Sequence, residues 1–255
     1  MAKGAYIGVP IAHKAKGYIG IPTLKSLGNM AEGSIVQINE GGTPADFYVA
    51  KHNYESGLNG AGRTLLVRKD CYDCNKWDEV GSNDLTNSDL ISWLNSTYKG
   101  VLDEGIRNSL GTTKFYYTQG NNTNVAAIGR SIFLLSVTEL GLTHTNAKTE
   151  GSALPIASTL QVVRLDGVKS TQWTRTRHSG NTTNALYLTT SGTAAYTTCT
   201  TINGTRPCFT LPATLGITNG LVTGAEAEVK EVARRIKKAY VGVNGVARLC
   251  FSSGE

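Results

Sequence analysis

Two short stretches hold the residue types best suited to chemistry: "CYDC", which places Cys71 and Cys74 two residues apart, and "QWTRTRH", running from Gln172 to His178. A CxxC pair supplies half of a tetrahedral zinc site, and only Cys199 and Cys208 lie far enough along the chain to complete it. The set Cys71, Cys74, Cys199 and Cys208 is therefore a weak metal candidate, weighed against unconnected thiols on loops. A redox dithiol is disfavoured because the CxxC does not open a helix in a βαβ unit. In an oxidising compartment Cys199 and Cys208 could instead bridge a hairpin. Strand alternation in "QWTRTRH" puts Trp173, Arg175 and Arg177 on one face with His178 at the end, an aromatic beside two guanidinium groups that would suit sugars or anionic groups. The competing expectation is that Trp173 is core and Arg175 pairs with an acid such as Glu139 or Glu150. The four histidines, at 13, 52, 144 and 178, are scattered. No HExxH, GxSxG elbow or carboxylate pair stands out, so no catalytic residue and no cofactor is assigned, and the chain is expected not to be an enzyme.

The elements that would position these groups are short strands. Hydrophobic residues make up 40% and charged residues 17% of the 255, the rest being rich in Gly, Thr, Ser and Asn, which favours strands and loops over long helices. Strands are expected at Ile35–Ile38, Phe47–Lys51, Thr64–Arg68, Lys114–Thr118, Arg130–Ser136, Thr159–Leu165, Gln172–Thr176, Ala185–Thr190 and Cys208–Leu211. Between them "NSDLISWLNSTYKGVLDEGIRNSLG" predicts two short helices, capped by Asn87 or Ser88, with Leu90, Trp93 and Leu94 as a buried stripe and Gly111 as the stop. Strands, a helix pair, then strands again make the fold class α+β.

The two ends repeat a basic residue, then Tyr, a β-branched residue, Gly and another β-branched residue: "KGAYIGVP" around Tyr6, "KGYIGIP" around Tyr18 and "KKAYVGVNGVARL" around Tyr240. In the last copy Val241 and Val243 share a face, and Asn244–Gly245 supplies a tight turn before the return strand. Isolated hairpins are marginal in water, so these units need a partner, either the other end of the chain or another subunit. Tyr6, Tyr18, Tyr240, Val241, Val243, Asn244 and Gly245 are accordingly the expected assembly residues. Residues 1–27 are read as N-terminal β-arms, 28–219 as the body, and 220–255 as a linker, a short amphipathic helix and a C-terminal β-hairpin.

Charge follows the same division. Lys3, Lys14, Lys16 and Lys25 give the first 27 residues +4, and the last 31 residues contribute +2, which accounts for the net +6 and leaves the body neutral. A neutral body with basic ends is not expected to clamp nucleic acid. No apolar run is long enough to span a bilayer, and the first residues lack the apolar stretch of a signal peptide. The odd count of five cysteines fits synthesis in a reducing cytoplasm.

"FLLSVTELG", "EGSALPIAS", "WTRTR" and "RPCFTLP", taken in order, resemble a domain-of-unknown-function family common in phages and prophages of gut bacteria, found in tail-associated and minor structural proteins. The resemblance covers roughly residues 34–217. More distantly that family is similar to the C-type-lectin-like fold of formylglycine-generating enzymes, with "LLSVTEL" in the place of their "RLPTEAE" and "GTRPCF" in the place of their closing "GFR" strand. Their closely spaced copper-binding cysteines have no counterpart here, so an oxidative activity is the least favoured expectation. The resemblance implies a bacteriophage virion structural protein (decoration, fibre or tail-associated) with a C-type-lectin-like body, made in the host cytoplasm. It implies other virion proteins as partners and a homo-oligomeric state. The rival expectation is a carbohydrate-binding module that recognises a host surface glycan through Trp173, Arg175 and Arg177.

Overall fold

The computed structural model describes residues 25–120, 123–223 and, as backbone, 238–243 and 246–252. Strands dominate and the helices are short, giving a sheet-rich mixture of α and β structure. The larger sheet has eight strands in the order Lys25–Ser26, Gly216–Thr218, Leu221–Val222, Ile35–Glu40, Thr43–His52, Arg63–Arg68, Cys208–Pro212 and Ile132–Phe133. The second has five, in the order Ala194–Thr198, Asn184–Leu188, Gln172–Arg177, Ile202–Thr205 and Asp73–Lys76. Nearly all of these ladders are antiparallel; Leu221 beside Gln37 and Gln172 beside Gly204 are parallel contacts. A separate hairpin pairs Thr113–Thr118 with Val125–Arg130.

Both sheets feed one apolar core. Phe47 of the larger sheet lies 5.4 Å from Phe209, and Phe133 stacks on Phe115 at 4.5 Å. On the five-stranded side Trp77 meets Trp173 edge-on at 5.9 Å. The expected helix pair is present. Ser88 accepts the Ile91 amide hydrogen at 3.2 Å and so caps the first helix, which runs from Asp89 through a π-helical turn at Leu94–Tyr98 to Val101. Leu90 and Leu94 are buried, and Trp93 stacks on Tyr98 at 6.1 Å. The second helix is Glu104–Ser109.

Three stretches depart from expectation. The predicted strand Arg130–Ser136 is split: residues up to Arg130 pair with Thr113–Thr118, and only Ile132–Phe133 joins the larger sheet. Thr159–Leu165 begins as a helical turn at Ala157–Leu160 and becomes a strand only at Val163. There the Leu160 carbonyl accepts from Gln172 Nε2 and Arg206 NH1, so buried side chains, not a ladder, fix that segment. Residues 215–223, expected partly as body and partly as linker, form a β-hairpin inside the larger sheet. Asn219 and Gly220 have φ of 52° and 88°, the two left-handed positions of a type I′ turn. Lys25 and Ser26 pair with Ile217 and Gly216, so the sheet recruits residues from both expected extensions.

Beyond the body, Lys238–Val243 pairs antiparallel with Val246–Ser252, as the C-terminal repeat predicts, with Tyr240, Val241 and Val243 on its first strand. Tyr6, Tyr18, Asn244, Gly245 and the expected amphipathic helix lie outside the described residues.

Candidate functional site

The "QWTRTRH" strand is the centre of the five-stranded sheet, and every residue from Gln172 to Arg177 is buried. The expected ligand platform is therefore absent from the surface. Trp173 is 2% exposed, donates its indole N–H to the Asn75 carbonyl at 2.8 Å and packs edge-on against Trp77 and Tyr187. Arg175 is 1% exposed and bonds Glu139 at 2.5 Å, the pairing anticipated by the competing expectation. Its remaining donors reach the carbonyls of Tyr116 and Leu134, and its guanidinium lies 4.8 Å above the Phe115 ring.

Around that ion pair the chain builds a closed polar network. Glu139 also accepts from the Tyr54 hydroxyl and the Ser136 amide. Glu150 accepts from the Thr118 amide and hydroxyl and from the Thr176 hydroxyl, each at 2.7 Å. Burial alone would push the Arg175 guanidinium down, and the negative charge of Glu139 and its neighbours more than reverses this, raising it. Burial pushes the Glu150 carboxyl up, partly offset by Arg175 and the threonine donors. Burial and then Glu139 push the Tyr54 phenol up. Charges satisfied from all sides and shut away from solvent stabilise a fold; they do not present a reactive group to a substrate.

The cysteines do not assemble. Cys208 sits in the larger sheet with its thiol 3.1 Å from the Phe133 carbonyl, and Cys199 follows the edge strand of the other sheet. Cys71, Cys74, Cys199 and Cys208 are all free thiols, and no group of three or more metal-ligating side chains occurs among the described residues. The weak zinc candidate and the hairpin bridge are both corrected by this placement: Cys74 and Cys208 lie in strands of different sheets, and Cys71 and Cys199 lie in loops. Burial pushes the Cys71 and Cys199 thiols up to about 12, so both stay protonated at neutral pH.

What faces solvent is the loop that follows the buried strand. Residues 178–183 turn the chain from Arg177 toward Asn184 and form one wall of an open cleft of about 610 Å³, lined by Arg177, Ser179, Asn181, Thr182, Thr183 and, across from them, Gly120. A buried residue that sequence reasoning passed over holds the loop. Asn83 is 1% exposed, and its amide nitrogen lies 3.3, 2.6 and 2.7 Å from the carbonyls of His178, Asn181 and Asn184. The Asn181 side chain accepts from the Thr183 amide and hydroxyl, closing an Asx turn. Arg177 donates to the carbonyls of Gln119 and Gly120, which ties the opposite wall.

His178 links the cleft to an exposed aromatic. Its Nδ1 accepts the Gly180 amide hydrogen at 3.1 Å, and its ring lies 4.7 Å from Tyr196, nearly perpendicular to it. His144 approaches Tyr196 at 5.9 Å in the same manner. Tyr196 itself is 49% exposed. Of the expected ligand set, only Arg177 and His178 thus border an accessible site, and Tyr196 joins them through a strand that carries no sequence motif. The polar run "NTTN" at 181–184 was the one available signal.

A second, charged cleft lies on the larger sheet between Thr43–Asp46 and Arg68–Tyr72. Its floor is a bidentate pair, Arg68 with Glu40, to which Tyr98 adds a hydroxyl donor at 2.5 Å.

No helix among the described residues is long and apolar enough to cross a membrane. Neither the curated proteins nor the solved structures contain a match to this chain. A family model described as Domain of unknown function (DUF6273) matches residues 61–213, a span that holds the Arg175, Glu139 and Glu150 side chains, the four motifs quoted above and the 178–183 loop, and the chain belongs to that family.

Proposed function

We propose that the chain is a bacteriophage virion structural protein, a C-type-lectin-like body displayed from the particle by its two terminal extensions. The observation that carries this reading is where the body begins and ends. Lys25 pairs with Ile217, and Ile217 pairs with Val222, so chain entry and exit are two strand spacings apart, about 10 Å, on one edge of the larger sheet. Both basic extensions therefore spring from one side, and the opposite parts of the body are left for display. The C-terminal extension brings a ready-made hairpin, Lys238–Ser252, and such two-stranded units gain stability by adding to a neighbouring sheet. The partners are other virion proteins, and several copies per particle follow from the symmetry usual in such assemblies.

The test is incorporation. Particles produced with the full chain should carry it, whereas a version trimmed to residues 25–223 should fold yet be missing from purified particles. Trimmed protein incorporated at the full level, or full-length protein absent from particles, overturns the reading. The rival, a sugar platform on the joint face of Trp173, Arg175 and Arg177, loses its surface because Trp173 and Arg175 are buried and only Arg177 reaches an open cleft.

A further inference from the structure

We infer that the cleft beside Arg177, together with the exposed ring of Tyr196, is a binding site for neutral carbohydrate. The inference concerns the body alone and holds wherever the protein is anchored. Its first support is chemical. The cleft is walled by hydroxyl, amide and backbone groups from Ser179, Asn181, Thr182 and Thr183, which both donate and accept, the combination that matches sugar hydroxyls. A cleft of about 610 Å³ lies within the range of ligand sites, about 300–1,000 Å³, and its lining mixes polar and apolar surface, as a sugar with hydroxyl and C–H faces requires.

The second support is the balance of charge. Among the described residues of the wall Arg177 is the one cation, and its guanidinium donates to the carbonyls of Gln119 and Gly120. Asp84 lies against the same turn: a Cβ on Gly120 would come within 2.5 Å of its carboxyl carbon. An arginine offset by a neighbouring carboxylate does not build the positive field that a phosphate or sulfate needs, so a neutral ligand is favoured.

The third support is construction. An exposed hydrophilic loop needs no buried tether, yet Asn83 commits its side-chain amide nitrogen to three carbonyls of the 178–184 turn. Such fixation removes the ordering cost that a mobile loop would charge against weak hydrogen bonds to a sugar. Beside the loop, Tyr196 keeps half its surface in solvent while His178 and His144 restrict its motion. A restrained phenol ring offers an apolar face to sugar C–H groups and a polar tip to water.

The experiment uses the full chain on an array of neutral di- to tetrasaccharides of the glucose, galactose, mannose and N-acetylglucosamine series, beside sialylated and sulfated glycans. Binding to one or more neutral glycans is expected, with saturation-transfer NMR placing the contact. Tyr196→Ala removes the ring and Thr182→Trp fills the cleft from an exposed position. Each should weaken binding about tenfold or more while the melting curve stays that of the parent. Three outcomes overturn the inference: no neutral glycan bound at millimolar concentration, binding confined to the anionic glycans, or neutral-glycan binding unchanged in both folded variants. None of these bears on particle incorporation, which is read separately.

Discussion

At the scale of single residues the chain places a few of its charges inside. Arg175 and Glu139 are both fully buried and bonded, so deleting one leaves the other uncompensated. Arg175→Met should therefore destabilise the protein by about 3–5 kcal/mol, measured by denaturant unfolding. The double change Arg175→Met with Glu139→Leu should recover part of that loss, since replacing both partners with apolar groups leaves no lone charge; a double variant as unstable as the sum of the singles would contradict the pairing. Glu150 yields a prediction in pH. Burial raises its folded carboxyl above the ordinary value of 4.5, so its contribution to stability is fully present below pH 4.5 and is lost as pH rises through the folded value. Glu150→Gln does not ionise and escapes that loss. Its stability relative to the parent should grow in the variant's favour as pH climbs above about 4.5, then level off. A difference that stays flat across the same range would remove the assignment.

At the scale of elements, the loop at 178–184 is governed by His178. Desolvation, then the charges of His144 and Arg177, hold its imidazole below the ordinary 6.5, and Tyr196 packs on its ring. Nδ1 accepts the Gly180 amide only while unprotonated. That bond's contribution to the turn is therefore present above pH 6.5 and lost as pH falls through the folded value, while the Asn83 bonds remain. Amide exchange at Gly180, followed by NMR, should accelerate on acidification, and His178→Gln should abolish the dependence. The same element shows what sequence can and cannot display. Alternation in "QWTRTRH" correctly marks a strand, but Arg175 and Thr176, which alternate in direction, both reach buried acids, Glu139 and Glu150, so both faces are covered, and no local pattern separates that from a half-exposed strand. The Arg175 pair was legible because a strand arginine in a protein with few charges needs an acid. Asn83 and Tyr196 were not, since their roles come from contacts about 100 and about 20 residues away along the chain. "ITNGLV" at 217–222 carries the same Asn-Gly signal that marks the C-terminal hairpin, yet its flanking strands are two or three residues long, too short to show alternation.

At the scale of the whole molecule, the family motifs and the folding unit have different extents. "FLLSVTELG", "EGSALPIAS" and "WTRTR" meet in one network through Glu139, Glu150 and Arg175, while Arg206 of "RPCFTLP" donates to the carbonyls of Arg68, Lys69 and Leu160. The motifs that carried the resemblance are thus the ones that hold the interior of this chain. The matched span, 61–213, nonetheless omits Ile35–Glu40 and Thr43–His52, two inner strands of the larger sheet, and with them Leu27, Val36, Ile38, Phe47 and Val49, all fully buried. Losing five buried side chains of this size removes about 1.5–3 kcal/mol each, together comparable to the whole usual margin of a domain. It also strips Arg63–Arg68 of its ladder partner on one side. A fragment of residues 25–223 should melt in one cooperative transition by circular dichroism, and a fragment of residues 61–213 should show none. Equal cooperative melting of the two would mean that the first two long strands are an addition to the fold, and the edge where the described body begins and ends would then lose its place as the proposed attachment side.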